Sequence, residues 1–405
     1  MKTELLYSDK SKCCGCGSCK HICPVSAIIL KKDKEGFEYP LIDEKKCINC
    51  NRCVDVCPIQ KKEKILNNKN NEEIFSYIVK SRELEILKIS SSGGFVTEIA
   101  KKIVKNNGVV FGALFDENKN IIHQKINNVE GLKKVAGSKY VQSNLKNTFN
   151  ECKKELCKGT QVLYIGMPCQ IEGLKNFLKK DYENLITIDL VCHGVSSPLF
   201  WKDYRDFLEK KFNSKIKKIN FRDKKFGYKS SGMKIKFSNS YQYWNSPRID
   251  YFLKCFFMNI ITRPSCLKCN FKTLNHNSNF TVFDCWNYEK LLNDFNNLGY
   301  TNVITNNKKG KDILSSMTNF LEIYPVNLED ILPKNGGMLL KSASAKINRE
   351  EFWDYYLNNS FEKTMGKFCH ISLFDILIEK SKNIFFKLKL MNCLSNIQIN
   401  KKSKR

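Results

Sequence analysis

Two stretches decide the reading of this chain: CCGCGSCKHICP at residues 13–24 and CINCNRCVDVCP at residues 47–58. Each contains the pattern Cys-x2-Cys-x2-Cys-x3-Cys-Pro, once through Cys13, Cys16, Cys19, Cys23 and Pro24, and again through Cys47, Cys50, Cys53, Cys57 and Pro58. The spacing has a physical cause. Three thiolates on a tight loop wrap one iron–sulfur cubane, the fourth leaves on a helix to reach a neighbouring cubane, and the proline turns the chain away. The expected ligand sets are therefore Cys13, Cys16, Cys19 and Cys57 for one 4Fe-4S cluster, and Cys47, Cys50, Cys53 and Cys23 for the other. Gly15 and Gly17 let the backbone approach the sulfurs closely. A pair of zinc sites would favour CxxC pairs with longer gaps between them, so two full matches weigh against zinc. Cys14 falls on no ligand position. Between the runs, residues 27–30 (AIIL) and 39–42 (YPLI) read as short strands covering the clusters.

The rest of the composition places this module in a larger protein. With 405 residues, 42% hydrophobic and 12% aromatic, the chain has ample apolar surface to bury and room for two or three domains. No run of about 18 uninterrupted apolar residues occurs, so a membrane-spanning helix is not expected. The opening MKTELLYSDK lacks the apolar stretch of a secretory signal, and a cytoplasmic protein is expected. In that compartment 19 cysteines serve metal or redox chemistry better than disulfides. The net charge of +27 invites a nucleic-acid reading, but only eight of the 68 basic residues are Arg and they form no stripe. A generally solvated basic surface is the better account, and no nucleic-acid partner is expected.

A Lys-, Asn- and Glu-rich stretch, residues 61–73, reads as a linker. Beyond it, strands alternate with amphipathic helices. The segment SSSGG at residues 90–94 precedes a helical period at Phe95, Ile99 and Ile103, then residues 108–115 read as a buried strand, with 121–126 as its hairpin partner. A helix over 144–157, a strand over 161–165, a helix opened by Pro168, a strand over 185–191 and a helix over 198–212 come next, with strand-rich sequence at 216–237. Backbone N–H groups of SSSGG at a helix start suit an anion, although an ordinary helix cap explains them as well. The segment matches neither the Rossmann nor the Walker A pattern, and no protease, esterase or kinase signature is present.

Four further cysteines occupy suggestive places. Cys169 lies at a strand-to-helix junction, Cys192 just past the next strand, and Cys266-x2-Cys269 follows Arg263-Pro264. Neighbouring parallel strands would bring Cys169 and Cys192 together. Adding the CxxC pair makes four thiolates, enough for a third cubane or a zinc ion. Separate core cysteines with one half-site is an equal reading of the same residues.

Taken together, these segments resemble the beta subunit family of coenzyme F420-reducing hydrogenases and dehydrogenases. The resemblance is carried by Ser90–Phe95, by residues 137–143 (GSKYVQS), by Gly166-x-Pro168-Cys169-Gln170, by residues 189–194 (DLVCHG) and by Arg263-Pro264-Ser265-Cys266-x-x-Cys269. The ferredoxin-like front end is typical of many members, and the resemblance covers about residues 10–330. It implies an α+β or α/β architecture: a two-cluster ferredoxin-like domain at 1–65, a larger mixed α/β flavin-binding domain at 74–335, and a helical basic extension at 336–405. It further implies FAD, a third 4Fe-4S cluster at Cys169, Cys192, Cys266 and Cys269, and flavin contacts at Ser91, Ser92, Gly93, Gly94, Gly137, Ser138, Lys139, Tyr140 and Gln142. One element departs from the family. A glycine–aspartate–aromatic–tryptophan–glycine run is usual downstream of the CxxC pair, whereas here Phe283-Asp284-Cys285-Trp286-Asn287 lacks both glycines. Bulk there puts the flavin pocket in doubt, and Cys285 becomes a substitute ligand to consider.

The expected function is an FAD- and iron–sulfur-dependent oxidoreductase. Ferredoxin or a redox partner subunit would load the clusters, and the flavin would serve a small-molecule organic acceptor. His193 is the expected catalytic proton donor. The alternative is a non-catalytic electron-transfer subunit of a larger redox complex, which the lost glycines would favour. The tail from about Met365 reads as an amphipathic helix resting on the domain or, as a rival, on an anionic membrane surface.

Overall fold

The first cysteine run folds against a small antiparallel sheet whose strands come from both sides of it. Strand β1 (Thr3–Leu5) pairs with β3 (Glu38–Asp43), which pairs with β2 (Ile28–Lys32). The computed structural model describes residues 3–7, 9–62 and 74–387. The expected linker falls mostly on residues 63–73, outside the described residues. The chain divides into two compact units, one made of residues 1–202 and 261–345, the other of 203–260 and 346–405.

In the first unit an eight-stranded mixed sheet takes β4 (Phe75–Ser81), β5 (Val109–Phe115), β6 (Ile121–Ile126), β7 (Val162–Gly166) and β8 (Leu185–Leu190). The second unit then contributes β9 (Ile216–Asp223), β10 (Gly232–Phe237) and β11 (Gln242–Asn245) as an antiparallel meander of its own. The chain returns to the large sheet with β12 (Phe280–Cys285), β13 (Tyr300–Thr305) and β14 (Leu321–Val326), giving the order β14-β4-β13-β12-β8-β7-β5-β6. The four middle strands β12, β8, β7 and β5 are parallel, and the outer pairings are antiparallel.

Strand alternation sorts side chains onto the two faces. Val110, Leu114, Leu163, Ile165, Ile186 and Ile188 join one buried cluster with Phe95, Ile99 and Ile103 of the helix Phe95–Lys105. Val109, Phe111, Val162, Tyr164 and Leu185 point the other way, onto Phe149, Cys152 and Leu156 of the helix Thr148–Cys157 and Ile171, Leu174 and Phe177 of the helix Pro168–Leu178. Parallel strands buried on both faces explain why these segments read as unbroken apolar runs.

The expected α/β architecture with a ferredoxin-like front end is what the chain adopts, but its compact units follow other lines than 1–65, 74–335 and 336–405. Residues 1–62 share the unit of the large sheet, whereas 203–260 leave that unit and pack with the C-terminal helices. Contacts far apart in sequence cause this: Trp353 donates its Nε1–H to the Ile260 carbonyl at 3.1 Å, and Tyr356 its hydroxyl to Asp203 at 2.6 Å. The tail forms the helix Leu373–Lys387, on which Leu373, Phe374 and Leu377 are exposed. The remaining tail, residues 388–405, lies outside the described residues. Among the described residues no helix is long and apolar enough to cross a membrane.

Asp250 is the polar centre of the second unit. Its carboxylate caps the helix Tyr251–Phe257 by accepting from Leu253 N–H at 2.8 Å, and it accepts the hydroxyls of Tyr204 at 2.6 Å and Tyr243 at 2.9 Å. Burial outweighs those bonds and raises the carboxyl from 3.8 to about 6. The folded state therefore holds this proton more tightly than the unfolded chain. The stability so gained is complete below pH 3.8 and is lost as pH rises through about 6. Between about pH 5 and pH 7, urea denaturation is expected to show the protein losing about 1 kcal/mol more stability than an Asp250→Asn variant does. Parallel pH profiles for the two proteins would refute this.

Candidate metal centres

Cys13, Cys16, Cys19 and Cys57 line one cavity of about 400 Å³, with Tyr7, Leu30 and Pro40 closing it. All four cysteines are buried. Cys13 and Cys16 come from the loop before the helix Ser18–Ile22, Cys19 from its first turn, and Cys57 from just before the helix Pro58–Lys62, so the four cysteines of one expected ligand set face the same cavity. Gly15 and Gly17 stand at φ of +71° and +73°, a conformation that favours glycine, and they bend the loop round the cavity.

The second set is open to solvent. Cys50 is exposed, and Cys23, Cys47 and Cys53 are half-buried. Burial raises the Cys53 thiol, with Cys50 and Cys23 adding to the effect, which places these three within electrostatic reach. Cys23 Sγ already accepts the Ala27 N–H at 3.2 Å.

The remaining four expected ligands converge at the C-terminal ends of the parallel strands. Neighbouring β7 and β8 run in register with Gly166 opposite Asp189, so Cys169 in the first turn after β7 and Cys192 just beyond β8 emerge side by side. Cys266 and Cys269 close in from the short helix Pro264–Leu267, and all four line a cavity of about 760 Å³. Burial, reinforced by Cys266, pushes the Cys192 thiol up to about 12. Burial likewise raises Cys266, with Cys269 adding to it. Four thiolates so crowded need positive charge to coexist, which bound iron would supply. Lys268 and Lys272 also line the cavity, and the Gly194 N–H donates to Cys192 Sγ at 3.3 Å. Among the described residues no three His, Cys, Asp or Glu side chains close on one ion-sized point. The sulfurs instead surround cavities, the arrangement a bulky cluster fits.

Cys14, which the spacing leaves without a role, lines both cavities. Its thiol lies within electrostatic reach of Cys16 on one side and Cys169 on the other. For Cys169 the neighbouring Cys14 is the largest influence and lowers its pKa, yet burial and the nearby Cys269, Cys192 and Cys266 leave it raised. The only hint in the sequence is a cysteine pair where the pattern needs one residue.

Two histidines stand near these cysteines, in different settings. His193 stands on the loop after β8, with Nδ1 3.2 Å from Met338 Sδ. His276 lines the four-cysteine cavity, its Nδ1 2.9 Å from Asp189 and its buried Nε2 without a hydrogen-bond partner among the described residues. Nothing local in the sequence pairs Asp189 with His276.

The residues expected to touch FAD are drawn together but engaged with protein partners. Ser91 Oγ lies 2.8 Å from Ser138 Oγ and accepts the Ser138 N–H, joining the two segments. Ser92 Oγ and the Gly93 N–H meet Thr301 Oγ1 at 2.8 and 2.9 Å. Gly94, at φ +84°, starts the helix Phe95–Lys105. Lys139 Nζ caps the carbonyls of Lys134, Val135, Ala136 and Gly137 at 2.6–3.1 Å, and burial lowers its pKa to about 7. The Tyr140 carbonyl accepts from Ser196 N–H at 3.1 Å. Of this group only Gln142 lines the four-cysteine cavity, and it binds the Cys14 carbonyl and Arg263. Phe283 is buried in β12, and Asn287 Nδ2 donates to the Asp330 carbonyl at 3.2 Å. Cys285 is buried with Sγ 3.7 Å from Asn287 Oδ1 and is not among the cysteines that line the cavity.

Two segments of the chain match known protein families. Residues 12–61 match the family described as a 4Fe-4S dicluster domain, and residues 159–329 match that described as the C terminus of the coenzyme F420 hydrogenase/dehydrogenase beta subunit. A chain in the xenon-derivatized F420-reducing [NiFe] hydrogenase complex from Methanosarcina barkeri has 16% sequence identity and a TM-score of 0.42, the match covering 73% of this chain and 92% of that one. No curated protein matches the chain.

Gly93 separates packing from ligand binding. A Cβ there would stand 2.2 Å from the Val79 carbonyl oxygen and 2.7 Å from the Thr301 nitrogen, so close packing between β4 and β13 already demands glycine. A Gly93→Ala variant is expected to lose at least about 2 kcal/mol of stability in urea denaturation. Gly137→Ala, whose nearest contact would be 3.7 Å away, should lose only about 1 kcal/mol, from its φ of +81°. Equal stability of Gly93→Ala and the parent would overturn the packing account.

Proposed function

We propose that this chain, a 4Fe-4S dicluster domain joined to a domain of the coenzyme F420 hydrogenase/dehydrogenase beta subunit family, is an iron–sulfur electron-transfer protein with three cysteine centres. The observation that carries the reading is the shared wall between two cysteine cavities, where Cys14 lies between Cys16 and Cys169. A 4Fe-4S cluster bound at each set carries one electron at a time.

The protein's own residues supply what such centres need. Cys13, Cys16, Cys19 and Cys57 form the buried middle set, and Cys23, Cys47, Cys50 and Cys53 form the set nearest solvent. The exposed Cys50 makes that outer set the approach for a ferredoxin or a partner redox subunit. At the inner set, Cys169, Cys192, Cys266 and Cys269 face Lys268 and Lys272, whose charge offsets that of the thiolates. His276 lines that cavity with Asp189 against its Nδ1, whereas His193 is not among the residues that line it.

A second reading adds FAD and a small organic acceptor, making the chain a reductase. The hydrogen bond between Ser91 and Ser138 favours it, since it joins the two segments the family resemblance assigns to flavin. The fit is incomplete, because these hydroxyls, Gly93 and Lys139 are engaged with protein partners.

Anaerobic purification with iron and flavin quantified per chain tests both readings. About 12 iron atoms are expected, at four per cubane, falling to about 8 in a Cys266→Ala variant. A parent protein that holds only about 8 would sink the inner centre. One FAD per chain would establish the reductase reading, and its absence after reconstitution would remove it.

A further inference from the structure

Arg263 is fully buried, with no measurable exposure to solvent. A charge in that position needs an opposite charge, because desolvation otherwise disfavours it strongly. Among the described residues no carboxylate forms an ion pair with it. Its Nε donates to the Cys13 carbonyl at 2.8 Å, Nη1 to Gln142 Oε1 at 2.9 Å, and Nη2 to the Glu38 carbonyl at 3.0 Å and to Cys13 Sγ at 3.5 Å. The rings of Tyr39 and Phe37 cover it at 4.3 and 5.4 Å. Every partner but one is a neutral group in any state. The exception is the sulfur of Cys13, in the set that surrounds the first cavity, which is a thiolate when it holds a cluster.

The backbone of the same residue opens the CxxC segment of the inner set. The Arg263 N–H donates to the Val195 carbonyl at 3.0 Å, and its carbonyl accepts from the Cys266 N–H at 2.9 Å. The side chain thus reaches the first set while the main chain holds a ligand loop of the inner one.

We propose that Arg263 sets the reduction potential of the cluster held by Cys13, Cys16, Cys19 and Cys57, acting as its buried counter-charge and as a hydrogen-bond donor to the Cys13 sulfur. The inference rests on the reading of those four cysteines as cluster ligands. Reduction adds one electron to the cluster and makes it more negative, so a fixed cation and a donor to sulfur favour the reduced form and raise the potential. The low polarity of the site, walled by Tyr39 and Phe37, leaves that attraction poorly screened. Arg263 is a positioning and tuning residue, since it touches a ligand and not a substrate.

The test is an anaerobic redox titration of the full chain followed by electron paramagnetic resonance. The signal altered in a Cys19→Ser variant identifies the first cluster. Arg263→Gln is expected to shift the reduced-to-oxidised ratio of that cluster at least tenfold towards oxidised at fixed potential, about 59 mV for a one-electron couple. The cluster of Cys23, Cys47, Cys50 and Cys53 should keep its potential, and Arg263→Lys, which keeps the charge, should restore most of the shift. Should the Gln variant fail to fold, Gln142→Glu places a carboxylate against Nη1 and should lower the same potential. Iron-replete variants with an unmoved first cluster, or with all clusters moved alike, would overturn the role of Arg263. A parent protein without iron at the first set would instead overturn the reading on which the inference rests.

Discussion

The buried guanidinium of Arg263 is the constraint around which the first unit is organised. It donates to two carbonyls of the N-terminal module, to a cysteine sulfur there and to Gln142 of the larger sheet domain. A charged fork with so many directional bonds tolerates only one arrangement of its surroundings. The loop of the first cysteine run is therefore held in one place against the loops that leave β7 and β8.

Other contacts support the same docking. Gly173 lets the helix Pro168–Leu178 pass so near the run that a Cβ there would sit 3.0 Å from Cys16 Sγ. His21 packs against Phe149 and Phe177 at 5.3 and 6.0 Å, and burial lowers its pKa to about 4, so it packs as a neutral ring. Asn144 donates to the Glu38 carboxylate at 3.0 and 3.1 Å. The outcome is two thiol-lined cavities that share a wall, one from a small local motif and one assembled at the carboxyl ends of parallel strands. That sheet edge collects groups from successive loops, which is why ligand sites favour it.

Much of this is readable in the residues alone, for reasons that differ by residue. The eight cysteines of the two runs are legible because their geometry is local: spacing along a loop and a short helix fixes where each sulfur can point. The strands at 109–115, 162–166 and 185–190 are legible because burial on both faces leaves unbroken apolar runs. Cys169 and Cys192 can be paired only by assuming that their strands are parallel neighbours, and Cys266 and Cys269 only through resemblance. Cys14 looks idle in the sequence because its role depends on which element packs beside it. His276 carries no local signal because Asp189, its partner, lies 87 residues away. The Ser91–Gly94 segment reads as a ligand loop, whereas its hydroxyls and Gly93 are tied to Ser138 and to the neighbouring strand. The division of the chain into units is equally hidden, since Trp353 and Tyr356 find their partners across about a hundred residues or more.

By itself, then, the sequence determined the iron–sulfur character of the N-terminal runs and the α/β character of the larger domain, because local spacing and periodicity suffice for each. Only the tertiary structure decided that the two cysteine cavities adjoin, that Cys14 stands between them and that Arg263 spans them. Those facts depend on burial and on contacts between segments remote in the chain, and no local pattern encodes which buried cation will meet which sulfur.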